Sequence, residues 1–117
     1  MNFFWKVIIT ILSNALAIYV AARLVDGIKV DLTTTNLLIV GALLGFVNTF
    51  IRPVIKLLSF PIILLTLGIF VVIINIAMLL LVAYLLDGFA IESIRAAFWG
   101  VIIISLVNYL ISSIIND

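Results

Sequence analysis

Four asparagines, Asn14, Asn48, Asn75 and Asn108, lie inside long uncharged stretches of this 117-residue chain, where few other side chains could do chemistry. A carboxamide donates and accepts hydrogen bonds but does not titrate. It can tie helices together or line a path for water or an ion, and it cannot serve as acid, base or nucleophile. Because an unpartnered amide is costly in hydrocarbon, each asparagine is expected to face another helix or a wet seam. Arg52 and Lys56 flank Pro53 with no acid nearby, which suits lipid phosphates; Arg52 could instead cap the carbonyls of the preceding helix. The acids fall elsewhere. Asp26, Asp31, Asp87 and Glu92 gather with Arg23, Lys29 and Arg95 near two Asp-Gly pairs. A divalent cation is conceivable there, but solvated charges in mutual pairs are the simpler expectation, and no metal site is assigned.

Catalytic chemistry is missing. The chain has no His and no Cys, hence no imidazole base, thiolate, zinc set or disulfide. No acid lies inside an apolar stretch, which argues against a proton-coupled carrier. There is no phosphate loop and no basic cluster sized for nucleic acid. The chain therefore reads as no enzyme, with no cofactor and no nucleic-acid partner.

The elements that position the asparagines follow from hydropathy. With 68% hydrophobic residues, 9% charged residues and a mean hydropathy of +1.56, the chain lacks the charged exterior that a soluble domain needs, and membrane lipid is its expected surrounding. The eleven charges leave uncharged windows of 16, 20, 30 and 21 residues. A helix crosses a bilayer with about 20 apolar residues, roughly 17 at the lower limit. The expected spans run from Val7 to Ala22, extended to Val25 if Arg23 snorkels, then Asn36 to Ile51, Ile62 to Leu86, and Ala96 to Asn116. The predicted fold is an all-α integral membrane protein with four transmembrane helices.

An internal repeat organises them. A shift of 61 positions lays Asn14 on Asn75, Asp26-Gly27 on Asp87-Gly88 and Asp31 on Glu92; with a small gap, Val47-Asn48 falls on Val107-Asn108. Polar coincidences of this kind are hard to obtain in apolar sequence. The chain then reads as one membrane domain, 1–117, with hairpin repeats over 7–51 and 62–116 and a basic interfacial connector over 52–61, the halves being parallel. The repeat also argues against reading the first window as a cleaved signal peptide. Gly27 and Gly88 are predicted to end the first and third helices in the left-handed conformation, so that both hairpins turn on one side. In the connector, Pro53 is placed to begin a short helix and Pro61 to open the third span; a re-entrant element between Phe60 and Gly68 is the alternative.

Gly41 and Gly45 on the second span, and Gly68, are small enough to let another helix approach closely. Trp5, Tyr19, Tyr84 and Trp99 fall near predicted span ends, as aromatic belts do. Lys6, Arg52 and Lys56 share one face and Arg23, Lys29 and Arg95 the other. That tie is compatible with dual topology; the unneutralised connector favours both termini inside.

The run Gly41-Ala-Leu-Leu-Gly45-Phe-Val-Asn48-Thr-Phe-Ile-Arg52-Pro53, followed by Leu57-Leu-Ser-Phe-Pro61, Leu65-Thr66-Leu-Gly68-Ile-Phe70 and Asn75, resembles the bacterial four-span family known as phage holin superfamily IV. The resemblance covers most of the chain and implies a small four-helix protein of the bacterial inner membrane; the holin label implies oligomers that permeabilise the bilayer. Three functions follow as expectations: a non-enzymatic membrane protein that packs with itself, with membrane lipids or with another membrane protein in envelope maintenance, a holin-like pore, or a small dual-topology channel or carrier.

Overall fold

The computed structural model describes residues 2–66 and 68–115. Helix α1 spans Phe3–Leu24 and starts where Asn2 accepts a hydrogen bond from the Trp5 N–H at 3.0 Å. Its apolar run thus begins one turn before Val7, with Lys6 inside the helix. Strand β1, Ile28–Val30, leads to α2, Thr34–Phe46, which is capped by the Thr33 hydroxyl on the Asn36 N–H. A π-helical turn, Val47–Ile51, joins α2 to α3, Arg52–Leu58, so Thr34–Leu58 is one helical run of 25 residues. Helix α4 is the short Phe60–Leu65, α5 is Ile69–Leu85, β2 is Phe89–Ile91 and α6 is Ile94–Ile115.

The connector departs from expectation. Rather than leaving the second helix at Arg52, the chain continues helically to Leu58 and breaks at Ser59. Pro53 explains the π turn: it has no N–H to give the Thr49 carbonyl, and its ring would collide there in a regular α-helix. The wider turn removes the collision, with the Arg52 N–H bonding to the Val47 carbonyl five residues back. Pro61 begins only the short α4; the long third helix starts at Ile69.

Gly68 was expected to admit a neighbouring helix, but a Cβ there would meet nothing within 4 Å. Its backbone instead turns left-handed at φ +90, where Thr66 receives the Phe70 N–H and donates to the Ile62 carbonyl. Gly68→Ala is therefore expected to cost about 1–2 kcal/mol from backbone strain alone. Reversible unfolding in mixed micelles would read this as a lower midpoint, and an unchanged midpoint would remove the assignment.

The turns at Asp26-Gly27 and Asp87-Gly88 also differ from expectation. Gly68 is the glycine with positive φ, whereas Gly27 and Gly88 lie outside that region. Crowding is their constraint: a Cβ on Gly27 would meet the Ala96 Cβ at 2.5 Å, and one on Gly88 would fall on the Asn36 amide.

The fold is not purely helical, because these two turns lead into an antiparallel ribbon of β1 and β2. Its register pairs Ile28 with Ile91, Lys29 with Ala90 and Val30 with Phe89. Adding 61 to 28, 29 and 30 gives 89, 90 and 91, so the ladder maps onto itself. The flanking bonds obey the same relation: Asp31 N–H donates to the Gly88 carbonyl and Glu92 N–H to the Gly27 carbonyl, both at 2.8 Å. Ile28 and Phe89, each 2% exposed, point from the ribbon into the helices.

Among the described residues three helical segments, Phe3–Leu24, Thr34–Leu58 and Ile94–Ile115, are long and apolar enough to cross a membrane; Ile69–Leu85 is apolar but has 17 residues. Their outward faces carry Leu12, Leu16, Phe46, Phe50, Ile102 and Leu106, all exposed. In water such a surface would drive aggregation, whereas in lipid it is the proper exterior. Helix α2 crosses α1 closely at Gly41, where a Cβ would stand 2.6 Å from the Ile11 carbonyl oxygen and 2.8 Å from the Ala15 nitrogen. Gly45 faces the Thr10 methyl of the same helix.

Candidate functional site

The core is divided by height. Toward the ribbon it is apolar: Ile18 and Ala21 of α1, Val40 and Leu44 of α2, Leu79 and Val82 of α5, and Ala97 of α6 are buried, with Ile28 and Phe89 above them. Toward the chain termini polar side chains enter it, beside the buried Val47, Ile74 and Ile104. Antiparallel neighbours bring this about, because α1 and α5 run toward the ribbon while α2 and α6 run away from it. Polar residues early in α1 and α5 therefore meet polar residues late in α2–α3 and α6.

Two asparagines close on each other directly. Asn108 donates from Nδ2 to Asn14 Oδ1 at 3.2 Å, and its own Oδ1 accepts the Ser13 hydroxyl at 2.6 Å. Asn14 completes its bonding by donating to the Thr10 carbonyl at 2.8 Å. Ser13 and Asn14 are the buried polar residues of the bundle, and among the described residues no buried polar side-chain atom lacks a partner. Their depth explains the arrangement. Asn14 stands about 16 Å from the start of α1 at 1.5 Å per residue, near the middle of a bilayer, where satisfied amides are strongly favoured.

The other two asparagines are joined through a cation. Arg52 is half-buried and donates from Nη1 to Asn75 Oδ1 at 3.0 Å, and Asn48 lines the same small cavity beside Leu79 and Ser105. The π turn precedes Arg52 in the helix and sets the register in which Asn48 and Arg52 share this inner face. Arg52 thus lies within the helical run rather than in an interfacial loop, and one of its donors faces inward.

A cleft of about 460 Å³ opens beside these groups at the termini side, lined by Lys6, Thr10, Asn14, Asn48, Arg52 and Asn108 among others. Thr10, Ser13 and Ser112 were not singled out from sequence, and Lys6 only as a charge that orients the chain. The signal was present: Lys6, Thr10, Ser13 and Asn14 recur at helical spacing as one polar stripe, as do Ser105, Asn108 and Ser112. Lys56 does not line this cleft. Among the described residues the acids lie toward the opposite end: Asp26 lines a cavity with Arg95 and Trp99, and Asp87 lines another with Tyr84. Asp31 accepts the Thr33 N–H at 3.1 Å. Among the described residues no three His, Cys, Asp or Glu side chains are grouped as for a metal ion. Chemically, the termini-side cleft offers cations and neutral donors, which is equipment for holding an anion.

The family described as mycobacterial 4 TMS phage holin, superfamily IV, matches residues 5–110. The chain is 33% identical to the uncharacterized protein SCO3922 of Streptomyces coelicolor, covering 99% of this chain and 97% of that protein. It is 30% identical to the uncharacterized membrane protein YvlD of Bacillus subtilis, covering 88% of this chain and 87% of that one. No solved structure matches.

Proposed function

The chain belongs to the mycobacterial 4 TMS phage holin superfamily IV family, and on that premise we propose that it is a small non-enzymatic protein of the bacterial cytoplasmic membrane that acts by packing with itself and with lipid, in envelope maintenance. The observation that carries this reading is the division of the core. The polar seam reaches only to mid-height, and above it Ile18, Val40, Leu44, Val82 and Phe89 form a dry layer. A water path through one chain would have to part that layer.

Four spans complete the reading. Ile69–Leu85 is about 25 Å long at 1.5 Å per residue, the lower limit for a crossing, and Phe60–Leu65 would lie ahead of it at the interface. Two parallel hairpins are supported by the self-mapping ribbon and by matching caps, since Ala96 N–H bonds to the Ser93 hydroxyl as Asn36 N–H bonds to that of Thr33. Lys6, Arg52 and Lys56 lie toward the termini, which supports a cytoplasmic position for that face. Self-association draws on α6, whose span is only 11% buried within the chain.

A holin-like pore is the second reading, favoured by a polar seam that reaches mid-bilayer and could be shared among copies. Membrane potential in cells during controlled expression separates the two. The expected result is an intact potential at high, correctly inserted levels. Abrupt depolarisation, absent from an Asn75→Leu, Asn108→Leu variant expressed equally, would overturn the packing role and place the asparagines on a pore.

A further inference from the structure

We propose that the termini-side cleft and an apolar groove on the other flank of α1 together hold one anionic phospholipid, its phosphate between Lys6 and Arg52 and an acyl chain along the groove. The site rests on the membrane-embedded reading above. Two independent features meet in it. The cleft walls carry both cations together with Asn48 and Asn108, and among the described residues no acid lines it. Arg52 uses Nη1 for Asn75, and the rest of its fork remains for a phosphate.

The groove, about 450 Å³, runs between α1 and α2 and is walled by Phe3, Val7, Phe46 and Phe50. Lys6 and Thr10 line both cavities, so a charged site and an apolar site adjoin at these two residues. That pairing fits an amphiphile. Free phosphate would fill only the cleft, and a neutral lipid only the groove. A zwitterionic lipid would bring its own ammonium toward two cations. Depth agrees as well: Lys6 is about 5 Å from the start of α1 and Arg52 about 9 Å from Leu58, within snorkelling reach of headgroup phosphates.

The test uses the full chain in nanodiscs containing equal phosphatidylglycerol and phosphatidylcholine, followed by native mass spectrometry of the released protein. One retained phosphatidylglycerol is expected, in preference to phosphatidylcholine. Lys6→Gln, which leaves the Arg52 to Asn75 bond in place, should lower retention about fivefold. Phe46→Ala with Phe50→Ala should lower it with the charges unchanged. Equal retention of both lipids, or retention unaffected by Lys6→Gln in a folded protein, would overturn the site. So would displacement of the lipid by millimolar inorganic phosphate, which would make it a site for the free anion. Resistance to alkaline extraction, measured in parallel, keeps the membrane reading separate. A chain that stays in the bilayer without selecting phosphatidylglycerol refutes only the lipid site, whereas one released by alkali refutes the membrane reading itself.

Discussion

Gly41→Leu is expected to separate α2 from α1 and to lower stability by about 3 kcal/mol, the upper part of the range for overpacking. The obstruction is backbone. A Cβ at position 41 would lie 2.6 Å from the Ile11 carbonyl oxygen, 2.8 Å from the Ala15 nitrogen and 3.0 Å from its Cα, none of which can rotate away. The helices would have to part, and the Val40 and Leu44 contacts that close the dry layer would be lost with them. Gly45→Ala is the control: its nearest neighbour is the Thr10 methyl at 2.9 Å, a side-chain atom that can turn. That substitution should cost about 1 kcal/mol at most. Reversible unfolding in mixed micelles, followed by helical circular dichroism, compares them. Equal, small losses at both positions would mean that α2 does not approach α1 closely.

The second large effect is expected at Asn108. Asn108→Leu removes the acceptor of the Ser13 hydroxyl and a donor to Asn14 in one change, for a loss of about 1–3 kcal/mol, since single interhelical bonds in bilayers contribute roughly 0.6–1.7 kcal/mol. Most of that loss comes from the partner left behind, because Asn14 is buried near mid-bilayer and, among the described residues, its Oδ1 has no second donor across the interface. Adding Asn14→Leu should therefore recover part of the stability. Ser13 can turn its hydroxyl to the carbonyl four residues back in its own helix, so it need not remain unsatisfied. A double variant that loses the sum of the single losses would show that the pair does not interact.

Much of the architecture was written in the order of residues. Charge spacing marks where helices can lie in lipid, Asp-Gly pairs mark the turns, and Gly41 with Gly45 marks a face that can be approached. Gly27 and Gly88, which a shift of 61 lays on each other, occupy matching corners of the ribbon. The ribbon itself was missed because three residues per strand give too short an alternation to stand out in an apolar chain. Ile28-Lys-Val30 and Phe89-Ala-Ile91, placed directly after those turns, were its available trace. That the helix runs on past Arg52 was not legible, because two prolines look like helix boundaries. A π turn lets a helix absorb one of them, and nothing local distinguishes that outcome from a break.

What the sequence by itself determined is the solvent of this protein: uncharged runs of such length can satisfy their backbones in lipid only as helices, whatever their neighbours. Which face of each helix turns inward was decided by the tertiary structure. In a soluble protein the core-facing stripe differs in polarity from the rest, but here lipid and core are both apolar and the pattern carries little contrast. Only when antiparallel packing brought Asn14 to Asn108 and Arg52 to Asn75 did scattered polar residues become a polar seam within an apolar core. The pairings join residues far apart in the chain, and their energy exists only once the helices are in contact.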